Sequence, residues 1–100
     1  MRDFFSLDLP ALPHAIAVAR AAAAALAAEL ALAEARATRL ELALEETVAN
    51  AVHHAYPDGR PGRLRVSARQ EGSALVLRVQ DWGVPYHLGP AGAAIGIGMV

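Results

Sequence analysis

The chain has 100 residues, a formal net charge of −1 and no cysteine, and this length is typical of a single domain. The absence of cysteine excludes disulfides and thiolate-bound metals, and the absence of lysine among the nine basic residues excludes chemistry that needs a lysine amine. The near-neutral charge gives no electrostatic basis for binding nucleic acid or an anionic membrane, so neither is expected as a partner.

The chain begins with the pattern of a short strand and a helix. Apolar and polar residues alternate over residues 4–9, which predicts a strand that Pro10 ends. Pro13 suits a first helical turn, and an Ala-rich helix is expected over about residues 13–28. Charged residues interrupt this Ala-rich part too often for a membrane span, so we expect a soluble, cytoplasmic protein.

A second helix is predicted after a weakly marked break. The break is expected near residues 29–33, although Ala and Leu there would also continue a helix. The second helix is expected over about residues 34–55. The sequence Tyr56-Pro57-Asp58-Gly59 is a strong turn signal that ends it.

The second half of the chain predicts a β-hairpin followed by a long loop. Residues 63–69 and 75–80 alternate with a period of two, and residues 71–73 form the turn between them. Residues 81–100 lack a regular period and predict a loop that ends in Gly-Ile-Gly. The element order favours the α+β class, a two-layer α/β sandwich with helices on one face of a mostly antiparallel sheet.

The second helix carries polar residues that are candidates for chemistry. Glu46 and Asn50 are one helical turn apart, and His54 is one turn further along. A carboxylate and a carboxamide so placed can position a hydroxyl and hold a hydrated magnesium ion. Taken alone, the same residues are more typical of a solvated helix face.

Two further candidate motifs follow the hairpin. Asp81 and Gly83 form an Asp-x-Gly sequence at the end of a strand, where the carboxylate can accept from an exocyclic amine such as that of adenine. Gly96 and Gly98 can expose backbone N–H groups to phosphate. Each motif alone is weak, because an ordinary turn has the same sequence.

The order of these motifs resembles that of the GHKL ATPase/kinase superfamily. Residues 42–56, LALEETVANAVHHAY, are similar to the N-box helix of the anti-sigma-factor serine kinases. The resemblance implies the Bergerat-type ATP-binding fold, with Glu46 as the catalytic base and Asn50 as the ligand of an ATP-bound Mg²⁺. It also places His54, which follows on the same helix face, among the nucleotide-binding residues.

The resemblance assigns the glycine-containing motifs as well. Asp81 becomes the adenine contact and Gly83 part of the same box, while Gly96 and Gly98 become the glycine box beside the phosphates. The chain is then one histidine-kinase-like ATP-binding domain over residues 1–100, with a short lid segment. By the same resemblance, the chain is expected to lack the last helix and the closing strand or strands of the family.

The resemblance implies an ATP-binding anti-sigma factor that is also a serine/threonine protein kinase. Its partners would be a sigma factor and a STAS-type anti-sigma antagonist, and it would form a homodimer. A non-catalytic module of the same fold that holds a regulatory protein is the alternative, favoured by the short lid. A histidine-kinase catalytic domain is a further alternative, although no His acceptor helix is visible.

Overall fold

The structure is a computed structural model that describes residues 2–57, 62–83 and 93–98. Its elements, in chain order, are β1 (Arg2–Pro10), α1 (His14–Glu29), α2 (Glu34–His54), β2 (Arg63–Glu71), β3 (Ala74–Asp81) and β4 (Ala93–Gly98). The four strands form one sheet in the order β1-β2-β3-β4, and each neighbouring pair is antiparallel. The predicted α+β class, with helices on one face of the sheet, is confirmed.

The core lies between the two helices and one face of the sheet. Alternate residues of β2 and β3 point toward the helices because side chains of a strand alternate between its two faces. α1 contributes mainly alanines, whose small side chains let it approach α2 closely. The buried apolar residues of these elements are Ala15, Ala19, Ala23, Leu26, Ala27, Leu40, Leu44, Val48, Ala51, Leu64, Val66, Ala68, Leu75, Leu77 and Val79. Within the described ranges, no helix is long and apolar enough to cross a membrane.

The prediction of a loop throughout residues 81–100 is wrong for residues 93–98. These residues form β4, which pairs with β3 in the register Leu75↔Ile97 and Val76↔Gly96. The side chain of Ile97 is buried in the core. The small residues of this segment show no alternation of apolar and polar side chains, so the sequence does not predict a strand. The segment becomes a strand by pairing with the edge of β3. The predicted loop residues 84–92, 99 and 100 lie outside the described residues.

The break between the helices is confirmed, and a left-handed residue forms it. Ala31 has φ = 51°, which is unfavourable for a residue with a Cβ. The Leu32 N–H donates to the Ala27 carbonyl at 3.0 Å, which closes the end of α1. The turn also lets Leu30 and Leu32 pack against the core. This packing compensates for the backbone strain at Ala31.

Replacing Ala31 with glycine is expected to raise the free energy of unfolding by about 0.5–1 kcal/mol, because glycine adopts positive φ without a steric cost. Urea denaturation measures this change. The matched control is Ala21→Gly, at an exposed position inside α1, which should lower stability by about 1 kcal/mol. Equal losses in the two variants would contradict the left-handed turn.

Candidate functional site

Asp81 is the last residue of β3 and is only 7% exposed, the one buried charged residue in the described part of the chain. It faces the helix layer, since it continues the alternation of the buried β3 residues. Its Oδ1 accepts a hydrogen bond from the Gly83 N–H at 3.0 Å. A buried carboxylate needs such a partner, and two oxygens offer about four acceptor sites. The carboxylate can therefore accept a further donor from a ligand.

The turn after Asp81 lies directly against the end of α2. A Cβ on Gly83 would overlap the backbone carbonyl oxygen of Ala55. Only glycine therefore allows the two segments to approach this closely. Ala55 directly follows the last residue of α2. This contact brings the helix that carries the candidate polar residues to Asp81.

Asn50 and His54 lie on the flank of α2 away from α1, whereas Glu46 is only about 100° around the helix from Glu45. Glu45 marks the opposite flank, because its carboxylate is 3.6 Å from the guanidinium of Arg20 in α1. At about 100° per residue, Asn50 and His54 lie roughly 140–180° around the helix from Glu45. Asn50 is half-buried, whereas Glu46 and His54 are exposed.

The positions of these residues along the helix show which of them are nearest to the turn after Asp81. With a rise of 1.5 Å per residue, Asn50 lies about 7.5 Å and Glu46 about 13.5 Å before Ala55. His54 lies next to Ala55, and its ring is edge-on to that of His53, with centroids 6.5 Å apart. His54 and Asn50 are therefore the residues of this face nearest Asp81, and Glu46 is farther away.

The structure does not bring Gly96 and Gly98 to Asp81. They pair with Val76 and Ala74 near the start of β3, whereas Asp81 ends that strand. At about 3.3 Å per residue, at least roughly 16 Å of strand separates them. The expectation of a glycine loop at this position is corrected, since both residues belong to β4. A phosphate contact by these glycines would require β4 to leave the sheet or the ligand to extend along it, and it stays a prediction.

The residues present fit a magnesium ion that arrives with a nucleotide. Among the residues that the structure describes, no group of three or more His, Cys, Asp or Glu side chains could hold a metal ion. Mg²⁺ is usually held by one or two protein oxygens together with substrate phosphates and water. The amide oxygen of Asn50 is a metal ligand of this kind.

The sequence did not predict two sets of side-chain interactions near Asp81. The Tyr56 hydroxyl bonds to Arg63 and to Trp82. On the other face of the sheet, Arg65 bonds to Asp8 at 2.8 Å, and its guanidinium lies 5.6 Å from the centroid of the Trp82 ring. The Arg65 hydrogen bond holds the pKa of the Asp8 carboxyl below its usual range. The position of Tyr56 in a turn and that of Arg65 in an alternating strand did not predict these long-range contacts.

A family of domains and several individual proteins are similar in sequence to this chain. A family model described as the histidine kinase-like ATPase domain matches residues 9–94. Among curated proteins, the chain is 26% identical over 86 residues to the serine-protein kinase RsbW of Oceanobacillus iheyensis, covering 86% of this chain and 54% of that protein. It is 27% identical over 88 residues to RsbW of Listeria innocua and of Listeria monocytogenes, covering 88% of this chain and 56% of each relative. The chain thus spans about half the length of these relatives.

Proposed function

Because the chain belongs to the histidine kinase-like ATPase domain family, we propose that it binds Mg·ATP where α2 and β3 end. We further propose that it transfers the γ-phosphoryl group to a serine of a partner protein. The observation that carries the proposal is the buried Asp81 carboxylate, held by Gly83 against the end of α2. The three relatives named as serine-protein kinases support the reaction type.

Asp81 would recognise the adenine base. A carboxylate is an acceptor, so it pairs with the exocyclic amine of adenine and not with the carbonyl oxygen that guanine carries at the same ring position. Burial strengthens this discrimination, because an unmatched group at a buried polar site costs its full desolvation penalty. The site should therefore select ATP over GTP.

Asn50 and Glu46 would act farther along α2. The Asn50 amide oxygen would hold the magnesium ion that neutralises phosphate charge, and His54 would lie beside the nucleotide. Glu46, exposed and about one turn before Asn50, would take the proton of the attacking serine hydroxyl. Phosphoryl transfer depends mainly on positioning and electrostatics, which rigid placement along one helix supplies.

The proposed partners follow from the resemblance to anti-sigma-factor kinases. They are a sigma factor and a STAS-type antagonist that carries the acceptor serine, with the protein acting as a cytoplasmic homodimer. A binding module without catalysis is the second candidate. The placement of Gly96 and Gly98 in β4, away from Asp81, favours that candidate.

Asp81→Asn tests the nucleotide site. We expect the variant to bind ATP more weakly by about 1–3 kcal/mol, because the amide presents a donor where the adenine amine needs an acceptor. Calorimetry with ATP and GTP on the full-length protein measures the change. Asp3→Asn is the matched control, since Asp3 is exposed and pairs with Arg69 far from Asp81. Equal affinity of the wild-type protein for ATP and GTP would contradict the assignment of Asp81.

A further inference from the structure

The Tyr56 hydroxyl joins three segments of the chain at the candidate site. It donates to the Arg63 carbonyl oxygen at 2.9 Å, at the start of β2. It also accepts from the Trp82 N–H at 3.1 Å and from the Arg63 N–H at 3.3 Å. Tyr56 follows Ala55, whose N–H still donates to the Ala51 carbonyl of α2. One hydroxyl therefore connects the end of α2 with the start of β2 and the end of β3.

Close packing fixes the position of this tyrosine. A Cβ on Gly62 would overlap the Tyr56 ring, so the ring lies directly on the backbone there. Gly83 lies equally close to the Ala55 carbonyl. Glycine at both positions lets the ring and the turn approach the backbone at van der Waals distance.

The two N–H groups that follow Asp81 are both bound. The Trp82 N–H donates to Tyr56, and the Gly83 N–H donates to the Asp81 carboxylate. The first bond anchors the turn to α2, and the second orients the carboxylate within the turn. If the first is lost, the turn can move, and the carboxylate moves with it.

We propose that Tyr56 is a positioning residue that sets the place of the Asp81 carboxylate relative to α2 and thereby adenine selectivity. This proposal rests on the proposed function, since it concerns the same nucleotide. Tyr56 acts through the turn and does not itself contact the base. Asn50 lies on the same rigid helix, so the link also keeps the adenine contact at a fixed distance from the magnesium ligand.

Tyr56→Phe tests the proposal, because it keeps the ring on Gly62 and removes only the hydroxyl. We expect ATP affinity to fall roughly tenfold, the cost of losing the one hydrogen bond, from the Trp82 N–H, that holds the turn. The ratio of ATP to GTP affinity should fall as well, which a loss of overall stability would not cause. Gln70→Ala is the matched control. It removes the Gln70 bond to the Gly72 carbonyl at the far end of the same hairpin and should change neither quantity.

A double-mutant cycle with Asp81→Asn shows whether Tyr56 acts through Asp81. If it does, Tyr56→Phe should cost little further ATP affinity in the Asp81→Asn background. Additive losses, or an unchanged ATP-to-GTP ratio in Tyr56→Phe, would overturn the positioning role while leaving ATP binding intact. A wild-type protein that binds neither nucleotide overturns the proposed function and the positioning role together.

Amide hydrogen exchange on the wild-type protein is a second measurement that does not depend on the variant folding. The Trp82 amide should be protected from exchange, because its N–H is bound to the Tyr56 hydroxyl. Rapid exchange of the Trp82 amide in the wild-type protein would overturn the link itself.

Discussion

Glu46→Gln is expected to slow phosphoryl transfer by roughly 10²–10⁴-fold, the typical contribution of a general base. ATP affinity should stay nearly unchanged, because Glu46 is exposed and lies about 13.5 Å along the helix axis before Ala55, the residue that contacts the turn after Asp81. Glutamine keeps the size and the hydrogen-bonding reach of the side chain but cannot take a proton. The variant therefore separates chemistry from binding.

The assay uses the full-length protein with a STAS-type antagonist as acceptor, and mass spectrometry follows serine phosphorylation. Glu41→Gln is the matched control. It removes one carboxylate from the same helix, beside Ala17 and Arg20 of α1, and should leave the rate unchanged. Transfer by Glu46→Gln at the wild-type rate would mean that another group is the base. A wild-type protein that binds ATP and the partner but transfers nothing would establish the binding module instead.

Asn50→Ala is expected to weaken magnesium-dependent ATP binding by about 100-fold, at the upper end of the cost of disturbing a metal site. The amide oxygen is the only protein ligand proposed for the ion, and alanine offers no replacement. Calorimetry with and without Mg²⁺ measures the loss. ATP binding in the absence of Mg²⁺ should change little.

The same variant should not reduce stability. Asn50 is half-buried, and its side chain has no hydrogen-bond partner among residues 2–57, 62–83 and 93–98. Alanine is also the better helix former, so the melting temperature should stay the same or rise slightly. A large fall in melting temperature without nucleotide would show that Asn50 is structural. Opposite directions for binding and stability would identify it as a functional residue.

The sequence predicted the elements whose structure is determined by local patterns. The hairpin between β2 and β3 follows from strict alternation and a turn at Gly72, which has φ = 60°. α2 follows from its apolar stripe and the turn signal after it. The family resemblance, confirmed by the match over residues 9–94, came from the order of the motifs and from the contiguous stretch of residues 42–56, most of which lies in α2.

Long-range contacts account for what the sequence did not predict. β4 depends on the pairing of Ile97 with Leu75, and small residues around Ile97 give no local signal of it. The close approach of Gly83 to Ala55 joins residues that are far apart in the sequence. The Tyr56 hydroxyl likewise finds its partners only when three segments have come together. Such contacts depend on the tertiary fold, which overrides local propensity.

Trp82 gives the protein a built-in optical reporter. It is the only tryptophan of the chain, it is 53% exposed, and it follows Asp81 directly. The guanidinium of Arg65 lies 5.6 Å from its ring centroid, on the electron-rich face of the indole. Indole fluorescence responds to solvent and to nearby charge. Because Trp82 is the only tryptophan, all tryptophan emission comes from the residue next to the candidate adenine contact. Nucleotide titrations can therefore be followed in the unlabelled protein, and each variant can be compared by the same signal.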